Sequence, residues 1–147
     1  MANKTVIVTG ASGNMGQAVV QKFLVEGYQV VGTIIPNDPT AFEIVDAKLE
    51  KAVVDLMNED DSAKFVQSVI DKYGQIDAAV LTVGGFAMGQ IADTKTADIA
   101  KQYKLNFETA YNVARPVFVK MMEQGSGRIF IIGSRPGISA KESKGMV

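Results

Sequence analysis

The plainest chemistry in the sequence lies in Thr9-Gly10-Ala11-Ser12-Gly13-Asn14-Met15-Gly16. The segment follows a short β-branched run and opens a helical pattern, the context that gives a glycine motif meaning. Gly10 permits a tight turn, and the small residues Ser12 and Gly13 let backbone come close to a ligand. A helix beginning near Asn14, with Met15 in its first turn, would aim unpaired N–H groups and the positive end of its dipole at a pyrophosphate. Gly16 would let that helix pack closely on the strand. The spacing is G-x-x-G-x-x-G rather than G-x-G-x-x-G, and no Gly-Lys-Ser/Thr follows, which excludes a P-loop. The alternative is a tight strand-to-helix turn that holds nothing. Three glycines between positions 10 and 16 weigh against it.

Composition removes other chemistries. The 147 residues contain no Cys, no His and no Trp. Disulfides, thiolate nucleophiles, zinc–thiolate sites and imidazole bases are therefore excluded. With 15 Lys+Arg against 16 Asp+Glu, the net charge is −1. That balance argues against sequence-independent nucleic-acid binding, which needs a basic surface. The uncharged stretch from Ala78 to Ala92 is broken by Gly84, Gly85 and Gly89, and is too short for a membrane span. A soluble, cytoplasmic chain without a membrane or nucleic-acid partner is expected.

Strand and helix patterns alternate along the chain. Thr5–Thr9, Tyr28–Ile35, Ala52–Val54, Asp77–Thr82 and Arg128–Ile132 read as strands. Met15, Val19, Val20, Phe23 and Leu24 form a helical stripe ending at Gly27. Pro36-Asn37-Asp38-Pro39 is a loop. Residues 40–50 are ambiguous, with a short helix as one reading. Asn58 is expected to cap a helix whose stripe is Val66, Val69, Ile70 and Tyr73, stopping at Gly74. Glu59, Asp60 and Asp61 read as its solvated first turn rather than a metal site. One helix is expected around 93–104. A longer one should carry Phe107, Ala110, Tyr111, Ala114, Val117, Phe118 and Met121 on one face, with a kink at Pro116. Met121 and Met122 read as core or interface packing. The nearly continuous apolar strands imply a parallel sheet covered on both faces. No linker divides the chain, so residues 1–147 form one domain.

At this point the chain resembles the short-chain dehydrogenase/reductase family. Thr9–Gly16 is similar to that family's Thr-Gly motif, in the variant with Gly13 and Asn14 in place of a glycine at the sixth position. Asp55-Leu56 is similar to the pair whose Asp meets the adenine amino group and whose next residue packs on the ring. Leu81-Thr82-Val83-Gly84 stands where the family has Asn-Asn-Ala-Gly, and only Gly84 is shared. Asn106 matches the family's catalytic-site Asn, and Ser134, in Ile-Gly-Ser-Arg-Pro-Gly, its catalytic Ser. Each has a local alternative: Asp55 as a turn residue, Asn106 as a helix N-cap, Ser134 as a turn residue. The matches fall in order at strand C-terminal ends, where open α/β sheets bind ligands. The resemblance implies a three-layer, doubly wound Rossmann-type α/β fold with strand order 3-2-1-4-5. It also implies hydride transfer between NAD or NADP and a small carbonyl or alcohol substrate.

The choice between NAD and NADP stays open. An acidic residue at the end of the second strand would favour NAD. Ile34 and Ile35 occupy that region, Asp38 lies slightly beyond it, and no Arg stands there for a 2′-phosphate.

The family's proton donor is a Tyr with a Lys four residues on, about a dozen residues after the Ser. Four residues after Tyr28, Tyr73, Tyr103 and Tyr111 come Gly32, Asp77, Phe107 and Arg115, so the 147 residues contain no such pair. Lys144-Gly145-Met146-Val147 reads like the approach to it. The expectation is therefore an N-terminal part of a longer reductase, binding cofactor weakly and catalytically incompetent by itself. A homo-oligomer through the 105–123 helix is expected. A non-catalytic dinucleotide sensor or scaffold, like atypical members of the superfamily, is the alternative. Val83–Gly89 is faintly similar to a loop of dihydropteridine reductases.

Overall fold

The computed structural model describes residues 4–135 and 138. Gly137 and the tail at 144–147 lie outside them. Five strands form one parallel sheet: β1 (Thr5–Thr9), β2 (Gln29–Ile34), β3 (Leu49–Val53), β4 (Ala78–Leu81) and β5 (Arg128–Ile131). Their order is β3-β2-β1-β4-β5, as expected from the sequence. Register runs straight across the centre, with Ile7 beside Val31 on one side and Ala79 on the other.

Alternation along each strand divides the core in two. Val6, Val8, Val30, Ala78 and Val80 face α1 (Asn14–Val25), packed with Val20. Ile7, Val31, Ala79 and Leu81 face α2 (Glu59–Tyr73) and α4 (Thr109–Gln124), packed with Phe65, Val66, Val69, Val113 and Val117. Both faces of the central strands are thus covered, which is why their sequences read as apolar throughout.

The ends of α2 obey local chemistry. The Asn58 side chain accepts from the Asp61 N–H at 3.1 Å, and Gly74 ends the helix in the left-handed region at φ 77°. Three acidic residues occupy its first turn. One of them, Glu59, pairs with Arg115 of α4 at 2.7 Å.

Several expectations are corrected. Residues 35–48 contain no helix, and β3 begins earlier than Ala52, at Leu49. The two helices expected after β4 are one helical run. The segment α3 (Thr96–Tyr103) passes through a π-turn at Lys104–Glu108 directly into α4. Asn106 lies inside that turn, so it is not an N-cap. Pro116 is accommodated within α4, which continues to Gln124.

The long helix also does not bury one stripe. Thr109, Val113, Val117 and Met121 are buried, whereas Phe107, Tyr111 and Phe118 are each at least half exposed. Met122 is exposed beside the buried Met121. The fifth strand departs from the two-face rule as well. Phe130 aligns with Val80 on the α1 face of the sheet, yet Phe130, Ile131 and Ile132 are exposed.

Candidate functional site

The glycine-rich turn is built by close backbone contacts. Gly10 has φ 62°, and a β-carbon there would lie 3.1 Å from Val83 Cγ2. A β-carbon at Gly16 would overlap the Gly10 carbonyl oxygen and stand 2.9 Å from Ala11 Cα. Gly16 is therefore the packing glycine that brings α1 down onto the end of β1. Gly32 in β2 makes the matching space, since its β-carbon would stand 2.6 Å from that of Ala11. A glycine inside an apolar strand is the sequence signal of such close approach.

Hydrogen bonds fix the turn to both neighbouring strands. The Gly10 N–H donates to Thr33 Oγ1 at 3.2 Å, and the Ala11 N–H to the Thr33 carbonyl at 2.9 Å. On the other side, Thr82 Oγ1 donates to the Thr9 carbonyl at 2.6 Å, and the Thr82 N–H to Thr9 Oγ1 at 3.1 Å. Thr82 thus has a bonding role at the position where the expected motif is not matched.

Gly13 is the N-cap of α1, and no side chain caps that end. The first N–H groups of a helix lack intrahelical partners, so this terminus keeps donors for an anion. A β-carbon on Gly13 would touch the Gly10 carbonyl at 3.4 Å, an ordinary contact. Packing alone therefore does not demand glycine at 13.

A cleft of about 300 Å³ opens beside the turn at the C-terminal ends of β1, β2, β3 and β4. Its walls include Gly10, Ser12, Gly13, Ile34, Asp55, Leu56, Thr82, Val83 and Gly84. Asn14, Met15 and Gly16, grouped with these from the sequence, lie outside its walls. Leu56 is 5% exposed, its body in the core and its carbonyl held by Asn112 Nδ2 at 3.0 Å. The Asp55 carboxylate accepts from the Met57 N–H at 3.0 Å, the local turn bond that was its alternative reading. It still lines the cleft.

Asp38, slightly beyond the end of the second strand in the sequence, also forms part of the wall. It accepts hydrogen bonds from the Ser12 hydroxyl and the Thr40 N–H. The Ser12 bond, and then that of Thr40, hold its carboxyl below the usual carboxylate range.

Asn106 and Ser134 stand along the same sheet edge. The cleft walls reach Leu105 and Thr109, on either side of Asn106 in the chain. The Asn106 side chain accepts from the Gly85 N–H at 2.8 Å and donates to the Gln102 carbonyl at 3.0 Å. Ser134 is exposed, just beyond the end of β5, the neighbour of β4. A larger groove, about 540 Å³, runs between α2 and α4, lined by Gln67, Arg115 and Lys120 among others. None of the residues assigned to the site from the sequence lines it. Among the described residues, no helix is long and apolar enough to cross a membrane.

Known proteins share this fold. The acetoacetyl-CoA reductase of Acinetobacter sp. (strain RA3849) is 26% identical over 145 residues, covering 94% of this chain and 58% of that protein. The solved structure of ElxO with NADP bound superposes with a TM-score of 0.86 at 24% identity, covering 93% of this chain and 58% of that one. A short-chain dehydrogenase from Leptospira borgpetersenii with bound NAD+ gives a TM-score of 0.82 at 19% identity, covering 95% and 54%. The chain thus spans between half and three-fifths of the length of these proteins. Residues 4–145 match the short chain dehydrogenase family, and the chain belongs to that family.

Proposed function

We propose that this chain is the dinucleotide-holding part of an NAD(P)-dependent oxidoreductase acting on a small carbonyl or alcohol. The observation that carries the reading is the uncapped N-terminus of α1 at Gly13, opening on a cleft whose turn excludes side chains at Gly10 and Gly16. That backbone fits a pyrophosphate, because free N–H groups and the helix dipole both favour an anion there. Relatives solved with NADP and with NAD+ support the same ligand class.

Each wall has a role in this reading. The Gly10–Gly13 turn and the first N–H groups of α1 hold the phosphates. Asp55 and Leu56 border the adenine end. Thr82, Val83 and Gly84 form the floor toward the nicotinamide end, and Ile34 flanks the ribose. When bound, the nicotinamide supplies or accepts the hydride. Ser134 would hydrogen-bond the substrate oxygen, and Asn106 would order the polar edge beside it. Asn14 and Met15 contribute backbone rather than cleft wall, and Gly16 contributes packing.

Within these 147 residues no Tyr precedes a Lys by four positions. We infer that the chain by itself lacks the phenolic proton donor, binds cofactor weakly and does not turn over. A sensor that binds dinucleotide without chemistry is the second reading, and the residues that follow Val147 in the gene separate the two: a Tyr with a Lys four positions on supports the enzyme, other residues the sensor. The exposed Tyr111 and Phe118 face supports self-association through the 105–123 helix.

The test is titration with NADH and with NADPH, followed by nicotinamide fluorescence. Saturable binding that Gly13→Asp abolishes is expected. No binding of either at millimolar concentration would overturn the reading. Oxidation of cofactor by a carbonyl substrate in the 147-residue chain would overturn its incompetence.

A further inference from the structure

The two edges of the sheet differ in chemistry. β3 carries Glu50 and Lys51 near its centre, and charge on an edge strand discourages pairing with another strand. β5, at the opposite edge, reads Arg128-Ile129-Phe130-Ile131 and runs on into Ile132 with no further charge, Pro or Gly. Phe130, Ile131 and Ile132 are each at least half exposed. Among the described residues, no strand pairs with the outer side of β5.

The ladder fixes which backbone groups that side presents. The Arg128 N–H donates to the Asp77 carbonyl at 3.1 Å. Alternate residues of a strand bond the same neighbour, so the N–H and C=O groups of Ile129 and Ile131 point away from β4. A row of such groups is a template for another strand.

The edge is complementary to itself. A two-fold axis normal to the sheet at Phe130 sets two β5 strands antiparallel. Ile129 of each copy then stands opposite Ile131 of the other, and the outward groups make about four backbone hydrogen bonds. Phe130 meets Phe130 of the second copy across the axis as an aromatic pair, with Cα atoms about 4.5 Å apart. Arg128 falls opposite Ile132, so no like charges face each other.

The same axis leaves the helices of both copies on one face of the joined sheet, α4 beside α4. Within a copy, α2 lies toward β3, where its Lys72 bonds Glu50, and α4 packs on β4 and β5. The α2 side of α4 carries Asn112, Pro116 and Glu123. Phe118 stands roughly 120–160° round the helix from these residues and so points toward the β5 edge. It is half exposed. The bare side of α4 and the bare edge of β5 form one surface, and a single second copy covers both.

We propose that two copies of this 147-residue chain join edge to edge through β5, with Phe130 on the two-fold axis, in one continuous sheet. The pairing gives the self-association through the 105–123 helix a definite geometry, and it does not depend on dinucleotide binding.

The experiment combines sedimentation velocity with amide exchange on the 147-residue chain. A dimer is expected at tens of micromolar, with exchange at Ile129 and Ile131 slowed at least about tenfold relative to dilute protein. Phe130→Lys places two cations across the axis and should weaken the dimer at least about tenfold, with native circular dichroism retained. Ile131→Pro removes an outward donor, not a bond to β4, and should act in the same direction. Val25→Lys, at an exposed position on α1, should leave the dimer intact. A dimer in which Ile129 and Ile131 exchange as fast as in dilute protein would overturn the β5 pairing and leave association through the helix standing. A monomer with both amides protected would show a segment of the same chain on the edge and overturn the proposal. An unprotected monomer would overturn it together with the helix contact. Species larger than a dimer would also overturn it, because a two-fold pairing closes on itself.

Discussion

The side-chain oxygen of Asn106 accepts the N–H of Gly85 at 2.8 Å, joining the π-turn of the long helical run to the loop that leaves β4. A β-carbon on Gly84 would come within 3.0 Å of that same oxygen, so the loop backbone is shaped around the Asn106 amide. A π-turn widens the helix by one residue and re-aims the side chains within it. Asn106 is thereby both a loop tether and a helix residue, since its amide nitrogen donates back to the Gln102 carbonyl.

Asn106→Ala should release that loop. The expected loss of stability is about 0.5–1.5 kcal/mol, that of one net hydrogen bond. Amide exchange at Gly85 should accelerate in Asn106→Ala and stay slow in Asn106→Asp, which keeps the acceptor. Equal exchange in the two variants would show that the tether does not order the loop.

Gly13 and Gly16 should separate binding from folding. Gly16→Ala drives a β-carbon into the Gly10 carbonyl and should destabilise the chain by about 1–3 kcal/mol in urea unfolding. Gly13→Ala meets only an ordinary 3.4 Å contact, and the φ of −68° there suits alanine. It should change stability by less than about 0.5 kcal/mol while weakening NADH binding, because the methyl group would stand where the proposed function puts the phosphate.

The Glu50 carboxylate accepts from Lys72 of α2 at 2.8 Å and from the Tyr73 hydroxyl, tying β3 to the end of α2. The Lys72 hydrogen bond, and then that of Tyr73, hold Glu50 below its ordinary value of 4.5. A lowered carboxyl pKa contributes stability that is complete above the unfolded value and disappears as pH falls through the folded one. Lys72 is raised from 10.5, chiefly by Glu50, so its share is present at neutral pH and fades as pH rises past the unfolded value. Glu50→Gln should therefore lower the urea midpoint at pH 7 and leave it unchanged near pH 3. The pair is largely exposed, so solvent screening keeps the effect small.

Tyr103, Phe107 and Tyr111 stack in a column along the helical run, with ring centroids 5.0 and 5.9 Å apart, and all three are about half exposed. Phe118 and Met122 continue the exposed apolar surface. A surface of this kind favours association. The double variant Tyr111→Glu with Phe118→Glu should shift the sedimentation coefficient toward that of a monomer and keep the native circular dichroism. A natural chain already monomeric at tens of micromolar would contradict self-association through this helix.

The elements legible in the sequence are those set by local chemistry. Thr5–Thr9 is a strand and Asn58 a cap because β-branching and a short polar side chain act within a few residues. The strand order, by contrast, came from the family resemblance and not from any local pattern. The glycine spacing at 10, 13 and 16 announced the turn, and at Gly10 and Gly16 a missing side chain is what permits its contacts.

Tertiary structure decided what periodicity does not contain. A hydrophobic stripe marks an apolar face but not whether anything covers it, so Val113 and Val117 are buried while Tyr111 and Phe118 are not. The π-turn shifts the helical phase at 104–108, which made one run look like two in a reading based on a 3.6-residue repeat. Gly32 and Ala11 are distant in sequence, and only packing shows that one makes room for the other. The return of Asp38 to Ser12 depends on a turn direction and on a tether from Gln17, contacts between segments that no local pattern encodes. The sequence by itself determined that a tight glycine turn and a helix N-terminus follow β1; the folded chain decided which charge stands beside them, because that charge arrives from another loop.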